Sequence, residues 1–247
     1  MNVREMMYAQ LAKDFSVTRE DLLAGKNLFV KKAYKDGRRI YKSDRCKLNI
    51  LSINGMTVMC SEDEELLAWL EREFTDSPGE WICESGKLRK IDRKLEQLGH
   101  EIVYTHPFFI PGREVELQKP EAEICWYEKD EIFPFQGDER FTKALEFDEQ
   151  RPDMLAVTAE KDGEILGMAA CSADSATAWQ IGIDVVPQAR QKGIASYLTW
   201  CLREEILNRG ILPFYGTGSS HMQSKRVAYN AGFVPGWWEL YSGEREG

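Results

Sequence analysis

The sequence predicts an α+β protein: a mixed, mostly antiparallel central sheet flanked by helices, with an additional amino-terminal α/β domain. Three observations carry this. The second half reads strand-helix-strand-strand-strand-helix-strand-helix-strand. Asn54-Gly55 and Asp162-Gly163 are two-residue hairpin turns, which join antiparallel strands. No GxGxxG follows any strand, so a dinucleotide-binding crevice is excluded.

In the first half, Met6, Met7, Leu11 and Phe15 have helical spacing, and Thr18-Arg-Glu-Asp21 opens a short second helix. A run from about Ile40 to Cys60 alternates around Asn54-Gly55. Ser61-Glu-Asp-Glu64 reads as a capping box before Leu66, Leu67, Leu70 and Phe74. A further helix starts near Ser85, carries Leu88, Ile91, Leu95 and Leu98 on one face and stops at Gly99. A strand then runs from Glu101 into Pro111-Gly112. The hydrophobic pattern weakens between Pro111 and Pro120, so the domains are set at 1–115 and 116–247.

The second half begins with a strand over Glu123–Tyr127 and a short amphipathic helix over Glu139–Phe147. Two strands follow around Asp162-Gly163, and Ala178–Val186 supplies a third that Pro187 ends. A helix from about Gly193 to Asn208 has Ile194, Leu198, Cys201, Leu202 and Ile206 as its apolar positions. Ile211–Tyr215 is a short strand containing Pro213. Ser220-His-Met-Gln223 repeats the capping-box pattern, Gly232 closes the last helix, and a final strand carries Trp237-Trp238.

Composition narrows the function. The 247 residues carry a formal charge of −9, of which −7 falls in the first 150. The basic cluster Lys31, Lys32, Lys35, Arg38 and Arg39 is broken by Asp36 and reads as solvated surface; no nucleic-acid partner is expected. No stretch approaches the ~20 apolar residues of a membrane-spanning helix. The amino terminus lacks a signal-peptide core, so a cytoplasmic protein is expected. Six widely spaced cysteines without a CxxC read as reduced and structural, and three histidines give no local metal-ligand spacing.

The chemistry should sit in Ile181-Gly-Ile-Asp-Val-Val-Pro-Gln-Ala-Arg-Gln-Lys-Gly-Ile-Ala-Ser-Tyr-Leu198. An apolar strand ends in Val-Val-Pro, Arg190 and Lys192 flank the turn, and Gly193 opens a helix. Unpaired N–H groups at a helix start beside two cations favour an anion, and a glycine lets it approach the backbone.

The segment from Val186 to Ala195 resembles the acetyl-coenzyme A loop of the GCN5-related N-acetyltransferase superfamily, whose pattern is Arg/Gln-x-x-Gly-x-Gly/Ala. Ser224–Phe233 is similar to the helix that closes the cofactor's thiol end. The resemblance covers about residues 120–247, and the fused amino-terminal domain weakly resembles bacterial antibiotic-resistance-type members. It implies the acyl-CoA N-acyltransferase fold, with acetyl-CoA as co-substrate and no metal. It also implies transfer of acetyl to a primary amine of a small molecule by direct attack through a tetrahedral intermediate. A monomer or homodimer acting away from membranes is expected. Pyrophosphate binding falls to Gln191, Lys192, Gly193, Ile194 and Ala195 with the Arg190 charge, and pantetheine lies along Ile183, Val185 and Val186.

The catalytic candidates are Asp184, His221, Ser224 and Tyr229. Asp184 is the ionisable residue inside the central strand; it accepts a proton or orients the ammonium, or is a charge at a solvated strand end. His221 occupies the place of the family's asparagine and either caps the helix or shuttles a proton. Ser224 hydrogen-bonds near the sulfur. Tyr229 stands one place beyond the family's usual tyrosine position, held here by Ala228, a displacement of about 100° on a helix. That departure leaves open a catalytically weak acyl-CoA-binding module. Cys171 and Cys201 have no sequence neighbour that would activate them.

Overall fold

The computed structural model describes residues 2–40 and 46–245. In chain order the elements are α1 (Val3–Asp14), α2 (Arg19–Leu23), β1 (Leu28–Lys31), β2 (Asn49–Ile53), β3 (Met56–Ser61), α3 (Glu64–Phe74), α4 (Ser85–Glu96) and β4 (His100–Pro111). There follow β5 (Glu123–Glu128), α5 (Lys129–Ile132), β6 (Asp153–Lys161), β7 (Glu164–Ser175), β8 (Ala178–Val185), α6 (Ile194–Asn208), β9 (Leu212–Gly216), α7 (Met222–Asn230) and β10 (Phe233–Glu244). The composition is α+β, as the sequence predicts.

Two compact units form: 7–108 with 236–245, and 2–6 with 109–235. The last strand therefore returns to the unit built by the first half, which the single division at 115/116 does not include. No local sequence signal announces such a return, because β10 is fixed by pairing with β2, Trp238 opposite Ser52 through Tyr241 opposite Asn49.

In the first unit β2 and β3 are joined by Asn54-Gly55, both at positive φ (51° and 78°), the primed hairpin turn that the sequence signals. β1 pairs in parallel with β3 and has no counterpart in the sequence reading; four residues are too few to show a period. Residues 41–45 of the Ile40–Cys60 run lie outside the described residues. Leu66 and Leu70 of α3 and Ile91 and Leu95 of α4 are buried in one cluster with Ile50 and Met59. The N-cap of α3 is Asp63, whose carboxylate accepts from Leu66 N, rather than Ser61; the Ser61 hydroxyl donates instead to the Lys47 carbonyl. Thr18 and Asp21 do form a capping box at α2.

The second unit holds the antiparallel run β5-β6-β7-β8, with β9 parallel to β8. Asp162-Gly163 makes another primed turn, with φ of 53° and 80°. Ile194, Leu198, Leu202 and Ile206, one face of α6, are buried against β6, β7 and β8. The helix expected over Glu139–Phe147 is only a 3-10 turn, Glu139–Phe141. A helix would need the Lys143 N–H for the ladder, but it donates to the Asp184 carboxylate at 2.7 Å. None of the six cysteines is in a disulfide, and Cys171 is fully buried.

Candidate active site

β8 and β9 share only the register Ala178–Gln180 against Leu212–Phe214. Beyond it the strands part, while the other edge of β8 stays paired with β7 as far as Val185 opposite Gly167. Ile181–Val185 thus keeps one ladder edge unpartnered for about 16 Å. Pro213 lies inside the paired stretch, so it does not start the divergence; the vertex comes after Phe214, at Tyr215. A cleft of about 1010 Å³ fills the opening, and Ile183, Asp184, Val185, Tyr215, His221 and Ser224 are among its walls.

At the far end of β8 the chain makes a 3-10 turn over Pro187–Ala189, then reaches α6 with Gln191 at φ 63° and Gly193, the N-cap, at φ 80°. The N–H groups of Gln191 through Ser196 have no acceptor among the described residues. Left-handed residues leading into a helix gather such donors into an anion-binding concavity. Arg190, Gln191, Gly193, Ile194 and Ala195 line the same cleft. These donors suit a diphosphate, and the free β8 edge suits the amides of a pantetheine arm. Val186 does not line the cleft: it is buried, and its N–H donates to the Leu166 carbonyl. Lys192 lines a neighbouring cleft instead. Arg190 turns back, its Nε donating to the Val185 carbonyl at 3.2 Å.

Asp184 is both clamp and candidate base. Its Oδ2 accepts from the N–H groups of Lys143 (2.7 Å) and Ala144 (3.0 Å), while Oδ1 takes no hydrogen bond among the described residues. Burial raises its carboxyl above the ordinary value, against the lowering effect of those two N–H donors. Gly182, two residues earlier, lies so close to the same turn that a Cβ there would sit 2.1 Å from the Lys143 carbonyl oxygen.

His221 is the N-cap of α7, displacing the expected Ser220: its Nδ1 accepts from Ser224 N at 3.1 Å. That contact leaves Nε2 as the ring nitrogen that can carry the tautomeric proton. Ser224 Oγ is 2.9 Å from the Tyr215 hydroxyl. Burial raises the Tyr215 phenol, so it stays protonated at neutral pH. Tyr215 is not among the catalytic candidates that the sequence offers, because nothing local distinguishes the last paired residue of a strand from the first one beyond it. Tyr229 stands apart from this group. It lines the neighbouring cleft, with its ring edge-to-face on Phe109 at 5.4 Å. Buried Ala228 holds the position toward the core.

The structure thus brings together Ile183, Asp184, Val185, Arg190, Gln191, Gly193, Ile194, Ala195, His221 and Ser224 and adds Tyr215, leaving Val186, Lys192 and Tyr229 outside this cleft. No group of three or more His, Cys, Asp and Glu side chains among the described residues is arranged to hold a metal ion. No helix among the described residues is long and apolar enough to cross a membrane.

Residues 118–233 match the family model described as Acetyltransferase (GNAT) family. Over nearly its full length the chain is similar to a GCN5-related N-acetyltransferase-like protein from Streptococcus suis 89/1591. The identity is 14%, with 99% of this chain and 100% of that one covered at a TM-score of 0.50. A GCN5-related N-acetyltransferase from Kribbella flavida is 20% identical, covering 62% of this chain and 63% of its own at a TM-score of 0.45. An aminoglycoside N-acetyltransferase, AAC(6')-Iy, solved in complex with CoA, is 20% identical over 49% of this chain and 93% of its own, at a TM-score of 0.37. No curated protein matches the chain. The part of the chain that is similar to the GNAT acetyltransferase family is thus residues 118–233, a little under half of its length.

Proposed function

We propose that the protein moves an acetyl group from acetyl-CoA to a primary amine of a small molecule, by direct attack through a tetrahedral intermediate. The observation that carries this is the run of acceptor-free N–H groups, Gln191–Ser196, at the mouth of the cleft where β8 leaves β9. Acetyl-CoA supplies an activated acyl carbon and a thiolate leaving group. The nest holds the diphosphate, and the Ile181–Val185 edge orders the arm so that its end reaches the strand vertex. Asp184, His221, Tyr215 and Ser224 line the cleft that this arm occupies.

In the transfer a C–N bond forms, a C–S bond breaks, one proton leaves nitrogen and one reaches sulfur. The Oδ1 of Asp184, raised by burial, orients the incoming ammonium and takes its proton. The Tyr215 hydroxyl, in contact with Ser224 Oγ, faces the leaving sulfur as the neutral donor. Buried Cys171, whose thiol is pushed well up by desolvation, and half-buried Cys201, pushed up to about 11, supply no nucleophile at neutral pH. The protein is proposed to work in the bacterial cytoplasm as a monomer or homodimer, without nucleic-acid or membrane partners.

Calorimetric titration with acetyl-CoA, followed by thiol release measured across a panel of small primary amines, tests this reading. Micromolar binding with amine-dependent thiol release supports transfer. Binding without release from any amine favours a coenzyme-binding module that does not turn over. A folded protein that binds no acetyl-CoA refutes the proposal.

A further inference from the structure

The first unit has a groove of its own, of about 610 Å³, between α3 and α4. Its walls carry Arg89, Lys90, Arg93 and Lys94 of α4 and Trp69 of α3. The sequence places these four cations together. Ile91 and Leu95 turn the apolar side of α4 into the core, so residues 89, 90, 93 and 94 fall on the side that faces away from it. Arg89 and Arg93 are one helical turn apart, as are Lys90 and Lys94, which puts each pair about 6 Å apart along the axis. Trp69 is partly buried against the same core cluster, edge-on to Phe74 at 6.0 Å, and forms the apolar wall.

The charge of this groove is opposite to that of the chain. In a protein of formal charge −9, α4 holds five cations and two carboxylates, and neither carboxylate lines the groove. Asp92 Oδ1 accepts from Ile102 N at 2.8 Å, and Glu96 pairs with Arg245 at 3.5 Å. Lys87 pairs with Glu84 outside the groove, and Lys90 pairs with Glu73 of α3. The other three cations meet no carboxylate among the described residues. Arg89 Nε donates to the Ser85 carbonyl at 3.3 Å, Lys94 Nζ donates to Gln97 Oε1 at 3.2 Å, and Arg93 has no hydrogen bond or ion pair. Like charges at i,i+4 weaken a helix, and an anion lying across them removes that repulsion.

We infer that the α3–α4 groove binds a compact polyphosphate, as the free ion or as the tail of a nucleotide, with its phosphoryl groups on Arg89, Arg93 and Lys94. Several cations crowded into one groove need several negative charges close together. Linked phosphoryl groups supply them, and guanidinium groups match their oxygens two at a time. The volume suits a small molecule. A long polyanion is disfavoured, because it would also run past exposed Glu65 and Glu71 of α3 in a chain that is acidic as a whole. The inference is independent of the acyl-transfer reading, since no residue of this groove lines the cleft beside β8.

The test is calorimetric titration of tripolyphosphate and of ATP, without divalent cations and at low ionic strength, with thermal melts to establish folding. Three proteins are compared: the wild type, Arg89→Ala/Arg93→Ala, and a Lys35→Ala/Lys129→Ala control that removes two exposed cations elsewhere. The wild type and the control should bind tripolyphosphate alike, and the arginine variant about 10-fold more weakly, the loss expected for two solvent-exposed charge contacts. Added salt should weaken the wild type and narrow that difference. ATP binding more tightly than tripolyphosphate assigns a nucleotide with its base against Trp69; equal affinities assign the free polyphosphate. An arginine variant that binds as the wild type does places the anion elsewhere, the Gln191–Ser196 loop included, and overturns the inference. A control that loses as much as the arginine variant overturns it too, because binding then follows overall charge. So does a folded wild type that binds neither ligand.

Discussion

Gly193 separates the fold from the ligand more cleanly than any other position in the nest. It sits at φ 80°, and a Cβ built there meets nothing within 4 Å. Gly193→Ala therefore costs only the left-handed backbone strain, about 1–2 kcal/mol. For a chain of this length that is a fall of about 2–8 °C in Tm. Gly193→Glu adds the same strain and a carboxylate. At about 5 Å from a diphosphate of charge about −2, the repulsion is about 1.7 kcal/mol at the dielectric of water and about 6.6 kcal/mol at an effective dielectric of 20. Gly193 is exposed, so the lower figure applies, and it corresponds to a loss of about 20-fold in affinity. Titration of both variants with acetyl-CoA at low ionic strength, where screening is least, is the assay. The alanine variant should bind within about fivefold of the wild type and the glutamate variant about 20-fold more weakly than the alanine variant. Equal affinities for the two folded variants would refute the placement of the diphosphate at this loop.

Asp184→Asn should keep the turn, because its amide oxygen still accepts from Lys143 and Ala144. It should lower kcat/KM by about 10²–10⁴ and abolish the acidic limb of the pH profile; unchanged turnover would remove Asp184 as the base. Gly182→Ala forces a Cβ to 2.1 Å from the Lys143 carbonyl oxygen. It should cost about 1–3 kcal/mol, seen as a lower Tm, and an unchanged melt would count against that backbone approach. Glu239 is buried with Arg39 and Asp14, and its Oε1 also receives the Trp237 indole N–H. Burial raises its carboxyl above 4.5. The native state therefore holds this proton more tightly than the unfolded chain. The resulting stability is fully present below 4.5 and lost as pH rises through the folded value. The wild type should therefore gain stability relative to Glu239→Gln as pH falls toward 4.5; a pH-independent difference in urea unfolding would contradict this.

The nest was legible in the sequence because all its information is local: a proline ending a strand, a glycine that must adopt positive φ, and an apolar helix period starting one residue later. The two primed hairpins were legible for the same reason. Other features were set by partners far away in the chain. Lys143 and Ala144 read as the interior of an amphipathic helix, and only a carboxylate about forty residues downstream diverts their N–H groups. Tyr215 looks like one more apolar strand residue until β8 and β9 are seen to part just before it. From the sequence His221 reads either as a helix cap or as a proton shuttle. Its Nδ1 is now committed to Ser224 N, so any proton it handles passes through Nε2.

Asp184 shows why one acid can hold structure and still be available for chemistry. A carboxylate with both oxygens tied to N–H donors would be driven down in pKa and become a weak base. A carboxylate with neither tied would lie on a strand edge with no fixed direction. Here one oxygen clamps the 143–144 turn while Gly182 brings that turn against β8, so the residue is oriented by the fold. Half-burial then outweighs the two donors and leaves the group more basic than an ordinary aspartate. The geometry that spoils the predicted helix at 139–147 is thus the geometry that positions Oδ1. A substitution that restored helical hydrogen bonding there would release the clamp and the direction of the base together.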